Sequence, residues 1–586
     1  MNRKLLKFAG YLGIILWVSL VSAQVYGQVD VSGMVSSAEE NMPLPGATIV
    51  ESGTTNGVVS DFDGNFTITV ADQNAVLLIT YVGYLKQEFT VGAQTTISAI
   101  LEQDYMNMEE VVVTAYSSRS RTEISSAVVS LKADEINQVT TNSVNDMLIG
   151  KVAGVQVQTA SGQPGDASDI RIRGVGSVFS PQKPLVVVDG IIGGSYNPND
   201  IASVSVLKDA GATGLYGSAA AAGVILITTK SGTPGQSKIS AKLRRGIKTP
   251  EFGNYQMMNT PQLYEYHQSL YSPALFPIAR PDSLLNYDYD WLNNTYEQSN
   301  ITSVNLSAVG GSEKTNYYLA VDYLNDQGTL RGTSYERLSM RSNIKYQMND
   351  RLSIGTRFVF NYDKGSYANW NMSEGAYRLE PWDQPTDANG ELIYDVQEAG
   401  WLSNLISNPY HSEQYNREGS YSLNGSANLT LGIKITDWLK IDSWTTVGLG
   451  YGKYEAIYSP KSFEGASDNG RIGNDITLDR SIGNTSLLKF NKQFGKHGLD
   501  ALLGFEVGSY TSEREIGGQA VGFLNGQEVM GVAGAQEAPT GTIVQSTAVS
   551  VLSQVNYNYS KKYFATASFR RDGNSRFAPS YKYANF

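Results

Sequence analysis

The sequence predicts a mainly β protein: a small N-terminal β-sandwich, then an α+β domain, then a long series of antiparallel strands suited to the wall of a transmembrane barrel. Three observations carry this. The 586 residues include 58 Gly and 36 Tyr with only 17% charged residues, a mixture that fits long β structure with many turns and opposes disorder. The chain begins like an exported protein and has no later apolar run long enough for a membrane helix. From about residue 236 onward, apolar and polar residues alternate over runs that often exceed ~10 residues, against roughly 5–6 for a globular strand.

Composition closes several other routes. The 56 Asp+Glu outnumber the 45 Lys+Arg, and a net charge of −11 opposes a nucleic-acid surface. The absence of cysteine excludes disulfides, thiolate metal sites and a lipid-modified N-terminal Cys. His267, His411 and His497 are far apart and form no ligand-spaced cluster, so no metal centre is expected. Length alone would allow about four domains at roughly 150 residues each, a prior that large barrels break.

Each segment is justified in turn. Arg3, Lys4 and Lys7 precede an apolar stretch at 8–21, and small residues Ser22 and Ala23 follow. Residues 1–23 therefore read as a signal peptide, with cleavage after Ala23 or Gly27. A membrane anchor is the alternative, but the stretch is short of the roughly 20 residues a span needs. A mature chain without membrane helices enters a bilayer only as a closed barrel, because backbone in lipid needs every hydrogen bond satisfied.

Residues 28–103 read as the sandwich. Short β-rich runs at 29–35, 47–50, 58–59, 66–70, 76–81 and 95–101 are separated by turn residues such as Pro43, Pro45, Gly46 and Gly64. Asp61, Asp63 and Asn65 also invite a calcium loop. That loop wants Gly at its sixth position, where Phe66 stands, so a polar hairpin turn is expected. The pattern Val31-Ser32-Gly33, 43–47, 57–66 and Tyr81-Val82-Gly83-Tyr84 resembles the carboxypeptidase-regulatory-like domain, a non-catalytic accessory fold.

After Met108 and Glu109 comes Glu110-Val111-Val112-Val113-Thr114-Ala115-Tyr116, a β-branched strand without an obvious partner. Such a strand either extends the sandwich or pairs with the sheet edge of another protein. In context it resembles the TonB box of TonB-dependent outer-membrane transporters, and 104–116 is read as the TonB-box linker.

Residues 117–235 alternate short strands and helices, which implies a mixed sheet. A strand carries Arg171 and Arg173 and stops at Gly174. An apolar strand at 184–188 closes on the turn Asp189-Gly190. Residues 201–208 alternate, ending on Lys208 and Asp209, and 224–229 form the last strand. These stretches, with Leu215-Tyr216-Gly217-Ser218, resemble the plug of SusC/RagA-type TonB-linked transporters. Those plugs usually carry an Arg-Gly-Ala-Asn-like sequence where 219–222 are alanines here, so no role of that Arg is carried over. Residues 211–217 lack the Lys-Ser/Thr of a phosphate loop. A turn residue is the expectation for Asp189, not a catalytic carboxylate. Arg171 and Arg173 are expected in structural pairs, with the barrel wall or acidic residues there, ahead of substrate contact.

The remainder, 236–586, is written in two-faced strands. Leu352, Ile354, Thr356, Phe358, Phe360 and Tyr362 oppose Arg351, Ser353, Gly355, Arg357, Val359 and Asn361. Leu338, Met340, Ile344 and Tyr346 oppose Arg337, Arg341, Asn343 and Lys345. Tyr317, Leu319, Val321 and Tyr323 put an aromatic at each end of an aliphatic middle, as a lipid-facing strand does. A soluble sandwich also alternates; the run lengths and the abundant Tyr favour the membrane. About 11 such strands are countable, against about 22 in a plugged transporter barrel. The chain is therefore expected to hold the N-terminal part of a barrel, with further coding sequence downstream.

The resemblance implies a function. Family members import large nutrients across the outer membrane, commonly oligosaccharides and sometimes peptides, with a SusD-like surface lipoprotein. Periplasmic TonB, driven by its ExbB–ExbD motor, pairs with the box and remodels the plug. The expectation is thus a non-enzymatic importer, without cofactor or metal, that meets TonB, the lipoprotein, outer-membrane lipid and a glycan or peptide. Two other classes compete with this one. An outer-membrane glycosidase needs paired carboxylates that no motif here supplies. An adhesin or structural surface protein needs neither plug nor TonB-pairing strand. Substrate residues are not identifiable; the aromatic-rich stretches 367–382 and 401–415 would either stack on sugars or, the commoner outcome, pack among themselves.

Overall fold

The computed structural model describes residues 29–586 apart from 39–41, 55, 82–83, 93–94, 103–110, 115, 121–126, 137–140, 142, 160, 175–182, 210–212, 233–236 and 404–406. The signal peptide assigned to 1–23 lies outside the described residues, as do Glu110 and Ala115. The chain divides into two compact units, 1–111 with 120–122, and 112–119 with 123–586.

In the first unit seven strands run in order: β1 (Val29–Ser37), β2 (Thr48–Glu51), β3 (Gly57–Val59), β4 (Asn65–Val70), β5 (Val76–Thr80), β6 (Gln87–Thr90) and β7 (Thr96–Leu101). They form two sheets, β4-β1-β7 and β3-β2-β5-β6. Alternate residues face one shared core, Val31, Phe66, Ile68 and Ile97 from the first sheet and Ile49, Leu77 and Ile79 from the second. The sandwich is as expected except for β6, whose Gln-Glu-Phe-Thr run is too short and polar to stand out. The Asp61 carboxylate accepts the N–H of Asp63 (3.0 Å) and of Asn65 (2.8 Å), closing its own hairpin turn.

Between the sandwich and the plug, β8 (Val111–Thr114) pairs with β9 (Ser117–Ser120). The strand whose sequence resembles a TonB box therefore has an intrachain partner that its sequence did not announce.

The plug contributes β10 (Val128–Lys132), β11 (Val155–Gln158), β12 (Asp169–Ile172), β13 (Leu185–Val188), β14 (Ile191–Ile192), β15 (Ile201–Leu207) and β16 (Val224–Thr229). Its main sheet runs β10-β15-β16-β13-β14 and is mixed, because β13 lies parallel to β16. A short helix, Val144–Met147, starts at Ser143, whose hydroxyl caps the N–H of Asn145. β15 departs from the expected half-buried alternation: Val204, Ser205, Val206 and Leu207 are all buried. The cause is a core on each face of the sheet. Val204, Val206, Ile225 and Ile227 pack with Leu148 and Ile170, while Val187, Leu207, Val224 and Leu226 pack with Leu487, Leu502 and Leu552 of the wall.

That wall is one 13-stranded antiparallel sheet. Its strands are β17 (Ser237–Lys248), β18 (Ser299–Gly311), β19 (Thr315–Gln327), β20 (Ser334–Asn349), β21 (Leu352–Ser366), β22 (Arg417–Thr436), β23 (Leu439–Tyr458), β24 (Arg471–Phe494), β25 (His497–Phe523), β26 (Ala533–Gln536), β27 (Thr540–Tyr559), β28 (Tyr563–Asn574) and β29 (Tyr583–Asn585). Neighbours in sequence pair, except that β26 folds onto β25 beside the path. Tight turns at 312–314, 350–351, 437–438, 495–496 and 560–562 mark one end, and long loops at 249–298 and 367–416 the other. In bacterial barrels the short turns face the periplasm.

The two faces of the wall differ as a lipid boundary requires. On β19, Leu319 and Val321 are each 42% exposed, whereas Ala320 is 6% and Asp322 3% exposed toward the plug. Tyr323, Leu338, Tyr362, Leu423 and Tyr451 stand opposite one another on five successive strands, an apolar row with aromatics at alternate positions. Tyr346, Trp438, Phe494, Tyr559 and Tyr563 are exposed near the short turns, where an aromatic girdle belongs.

Candidate coupling segment and plug clamps

Of the proposed coupling residues Glu110, Val111, Val112, Val113, Thr114, Ala115 and Tyr116, only Tyr116 has a described side chain. It is buried. Its ring lies 5.7 Å from that of Tyr216 and 6.2 Å from that of Trp444 on β23. Its hydroxyl donates to Glu506 on β25. Burial first, then the Glu506 charge, holds the Tyr116 phenol well above its ordinary value, so it remains a donor.

Glu506 belongs to a clamp built around Arg570 of β28. Arg570 Nη2 reaches Glu506 Oε2 at 2.8 Å and Ser550 Oγ at 2.9 Å. Its Nη1 donates to the Leu215 carbonyl of the plug at 2.6 Å, and its Nε to Asp572 at 2.5 Å. Asp572 explains Gly217. The backbone there turns at φ 66, ψ −152, and a Cβ would sit 2.1 Å from Asp572 Oδ2. Tyr216, buried beside it, has its phenol raised by that burial.

A second clamp holds another part of the plug. Asp200 closes the short 3₁₀ turn Pro198–Asp200, which Asn197 caps. Its carboxylate accepts Tyr318 Oη at 2.7 Å and Arg341 Nε at 3.1 Å, both from the wall. Arg341 Nη2 also reaches the Ser195 carbonyl at 2.8 Å. Asn199 donates to Asp322 at 2.7 Å, and Asn343 to the Lys230 carbonyl at 3.0 Å. Burial raises the Asp200 carboxyl, opposed by Arg341. Asp189 and Gly190, at φ 49 and φ 83, form the tight turn between β13 and β14. The Asp189 carboxylate accepts the Thr229 N–H (2.9 Å) and hydroxyl (2.6 Å), and its carbonyl accepts Arg357 at 2.8 Å. Asp189 is a turn and clamp residue.

The other plug-motif residues gather elsewhere. Arg173, at φ 59 and followed by Gly174 at φ 97, ends β12 and pairs with Asp209 at 2.5 Å. Asp209 also accepts the Ala127 N–H at 2.7 Å; that bond and Arg173 hold its carboxyl below the usual range. Lys208 donates to the Ala153 carbonyl, and Arg171 stands opposite Gln156 of β11. The wall contact expected of Arg173 is thus corrected: its ion pair lies within the plug, because β12 pairs with β11 and its end meets the end of β15. The clamp residues Asp200, Tyr318, Arg341, Glu506 and Arg570 were not singled out from sequence. For the four wall residues the signal was a charge or ring on the inward register of a strand, such as Glu506 between Gly504 and Gly508; Asp200, in its 3₁₀ turn, had no such signal.

Among the described residues, two cavities are lined by both plug and wall along the same strands. One of about 840 Å³ at the short-turn end is lined by Tyr116, Asp189, Arg357, Trp444 and Lys489. The other, of about 390 Å³ at the long-loop end, is lined by Gly165, Tyr335, Tyr367, Asp363, Lys453 and Arg514. In the loops above, Trp382 and Tyr410 are buried in packing, whereas Tyr377 is exposed and Tyr367 lines the cavity.

An α+β domain clamped to the inner face of a lipid-facing strand sheet is the build of a plugged outer-membrane barrel. Comparison with known proteins agrees. Residues 31–113 match the CarboxypepD_reg-like domain and 120–224 the TonB-dependent receptor plug domain. TonB-dependent receptor P3 of Formosa agariphila is 32% identical over 610 residues, covering 100% of this chain and 58% of its own. TonB-dependent receptor SusC of Bacteroides thetaiotaomicron is 28% identical over 594 residues, covering 95% and 58%. The solved RagAB peptide importer in its open-open state superposes with a TM-score of 0.71 at 24% identity, covering 81% of this chain and 58% of that one, a likeness of fold. The chain is of the SusC/RagA type of TonB-dependent receptor, a class of the outer membrane. It spans a little over half the length of these relatives.

Proposed function

We propose that this chain supplies the energy-coupling segment and the plug of an importer that moves a large nutrient across the outer membrane. The observation that carries the reading is Tyr116: the strand segment before the plug ends in a side chain wedged between plug and wall. In this reading TonB takes 110–116 as an added strand, and the pull reaches the plug through Tyr116. A SusD-like surface lipoprotein would present cargo to the long-loop end. A glycan is the favoured cargo, since the cavity there sets the rings of Tyr335 and Tyr367 beside Asp363 and Arg514, suited to stacking and hydrogen-bonding sugars. The RagAB neighbour is a peptide importer, which keeps peptides as the second class.

Growth of the host on a panel of glycans and peptides, with and without deletion of residues 109–116, tests this. Deletion should abolish growth on one cargo class while leaving cargo binding intact. Unchanged growth on that cargo would refute the coupling role.

A further inference from the structure

The end of the coupling segment touches the plug's attachment to the wall. The Tyr116 hydroxyl donates to the same Glu506 carboxylate that receives Arg570. Arg570 in turn holds the plug by the Leu215 carbonyl. Residues 219–222 are four alanines and offer Glu506 no cation, so the positive charge at this place comes from the wall. The Tyr116 ring meanwhile packs on Tyr216 and Trp444 and lines the 840 Å³ cavity at the short-turn end. One side chain thus completes an ionic clamp and walls a cavity.

We propose that Tyr116, Glu506 and Arg570 form a latch: withdrawing Tyr116 unseats the 214–220 stretch from the β25–β28 flank of the wall, while the Asp200–Arg341 flank stays docked. The inference rests on 110–116 being the segment that is pulled. Removing the phenol takes a donor from a carboxylate whose side chain is only 14% exposed and opens its surroundings to the cavity. Water then competes for Glu506 and Arg570, and the Leu215 carbonyl loses its fixed partner. The Asp200 clamp shares no group with this chain of contacts; its partners are Tyr318 and Arg341 on β19 and β20. The plug therefore loosens on one side first, next to the cavity.

Amide hydrogen exchange on the purified receptor in detergent, without TonB or cargo, tests the latch separately from coupling. Tyr116→Phe and Glu506→Gln should each speed exchange at 214–220 by about tenfold, the worth of one hydrogen bond to a charged group. Exchange at 201–207 and 224–229 should stay at the native rate, and the double variant should rise by less than the product of the two single effects, since both act on the Glu506 acceptor. Unchanged exchange at 214–220 in both variants, or an equal rise across the whole plug sheet, would overturn the latch. Uptake after deletion of 109–116 reads the coupling role independently: uptake that survives refutes coupling, and leaves the exchange result to decide whether the contact holds the plug.

Discussion

Gly217 and Asp200 show how single residues hold the plug. At Gly217 the backbone has φ 66 and presses on Asp572, so any side chain meets both strain and a carboxylate. Gly217→Ala should cost about 1–3 kcal/mol, read as earlier melting of plug structure while the barrel sheet persists. Arg341 is the cation that Asp200 needs. Arg341→Met leaves a buried carboxylate uncompensated and should cost about 3–5 kcal/mol, much of it recovered when Asp200→Asn is added. The pH dependence follows from the raised Asp200 carboxyl, whose neighbours are Arg341, Tyr318, Asp322 and Lys230. A carboxyl with a raised folded pKa penalises the native state above that pKa, and the penalty fades as pH falls through it toward the unfolded value of about 3.9. Protection of β15 amides, corrected for intrinsic rates, should therefore rise on acidification in the native protein and stay flatter in Asp200→Asn. In the plug, turn chemistry announced Asp189, and the resemblance to a known plug motif drew attention to Gly217. Arg570 and Leu215 lie 355 positions apart, and no local pattern joins them.

Strands were legible wherever one rule governed both faces. Lipid outside and plug inside impose a period of two, and the outward sets of β19, β20 and β21 follow it through their middles, with Ser342 and Thr356 as polar exceptions. The same rule misled at β15, because a central strand buried on both faces has no polar side to show. It was silent at β9, whose Ser-Ser-Arg-Ser run has no apolar face to read. Loops depend on contacts that only the fold creates. Glu464 accepts Ser407 at 2.7 Å, Ser412 at 2.6 Å, Asn416 at 2.9 Å and Asn371 at 3.1 Å, tying the 367–416 loop to the 459–470 loop. Glu464→Ala strands these donors at about 1–3 kcal/mol for each one left buried without a partner. Limited proteolysis should then cut within 367–416 at protease levels that leave the native loop whole, with the strand sheet uncut.

At the scale of the molecule, the wall must satisfy lipid on one side and the plug on the other. Val321→Arg places a charge amid the outward apolar set, where a midplane site costs about 2–4 kcal/mol. It should lower folding yield into bilayers, whereas Gln347→Arg, on the inward register near the short turns, should not. In the proposed import, the 214–220 stretch of the plug must come away from the β28 wall for cargo to pass. Gly214 offers a direct test, since a Cβ there would lie 3.4 Å from Ser568 Oγ on β28, close to disulfide geometry, in a chain without cysteine. The measurement is uptake of labelled cargo by Gly214→Cys/Ser568→Cys receptor, oxidised and then reduced. The account predicts uptake lost in the oxidised, cross-linked receptor and restored by reductant. Native uptake through a fully cross-linked receptor would contradict it, because cargo would then pass with the plug fastened to the β28 wall.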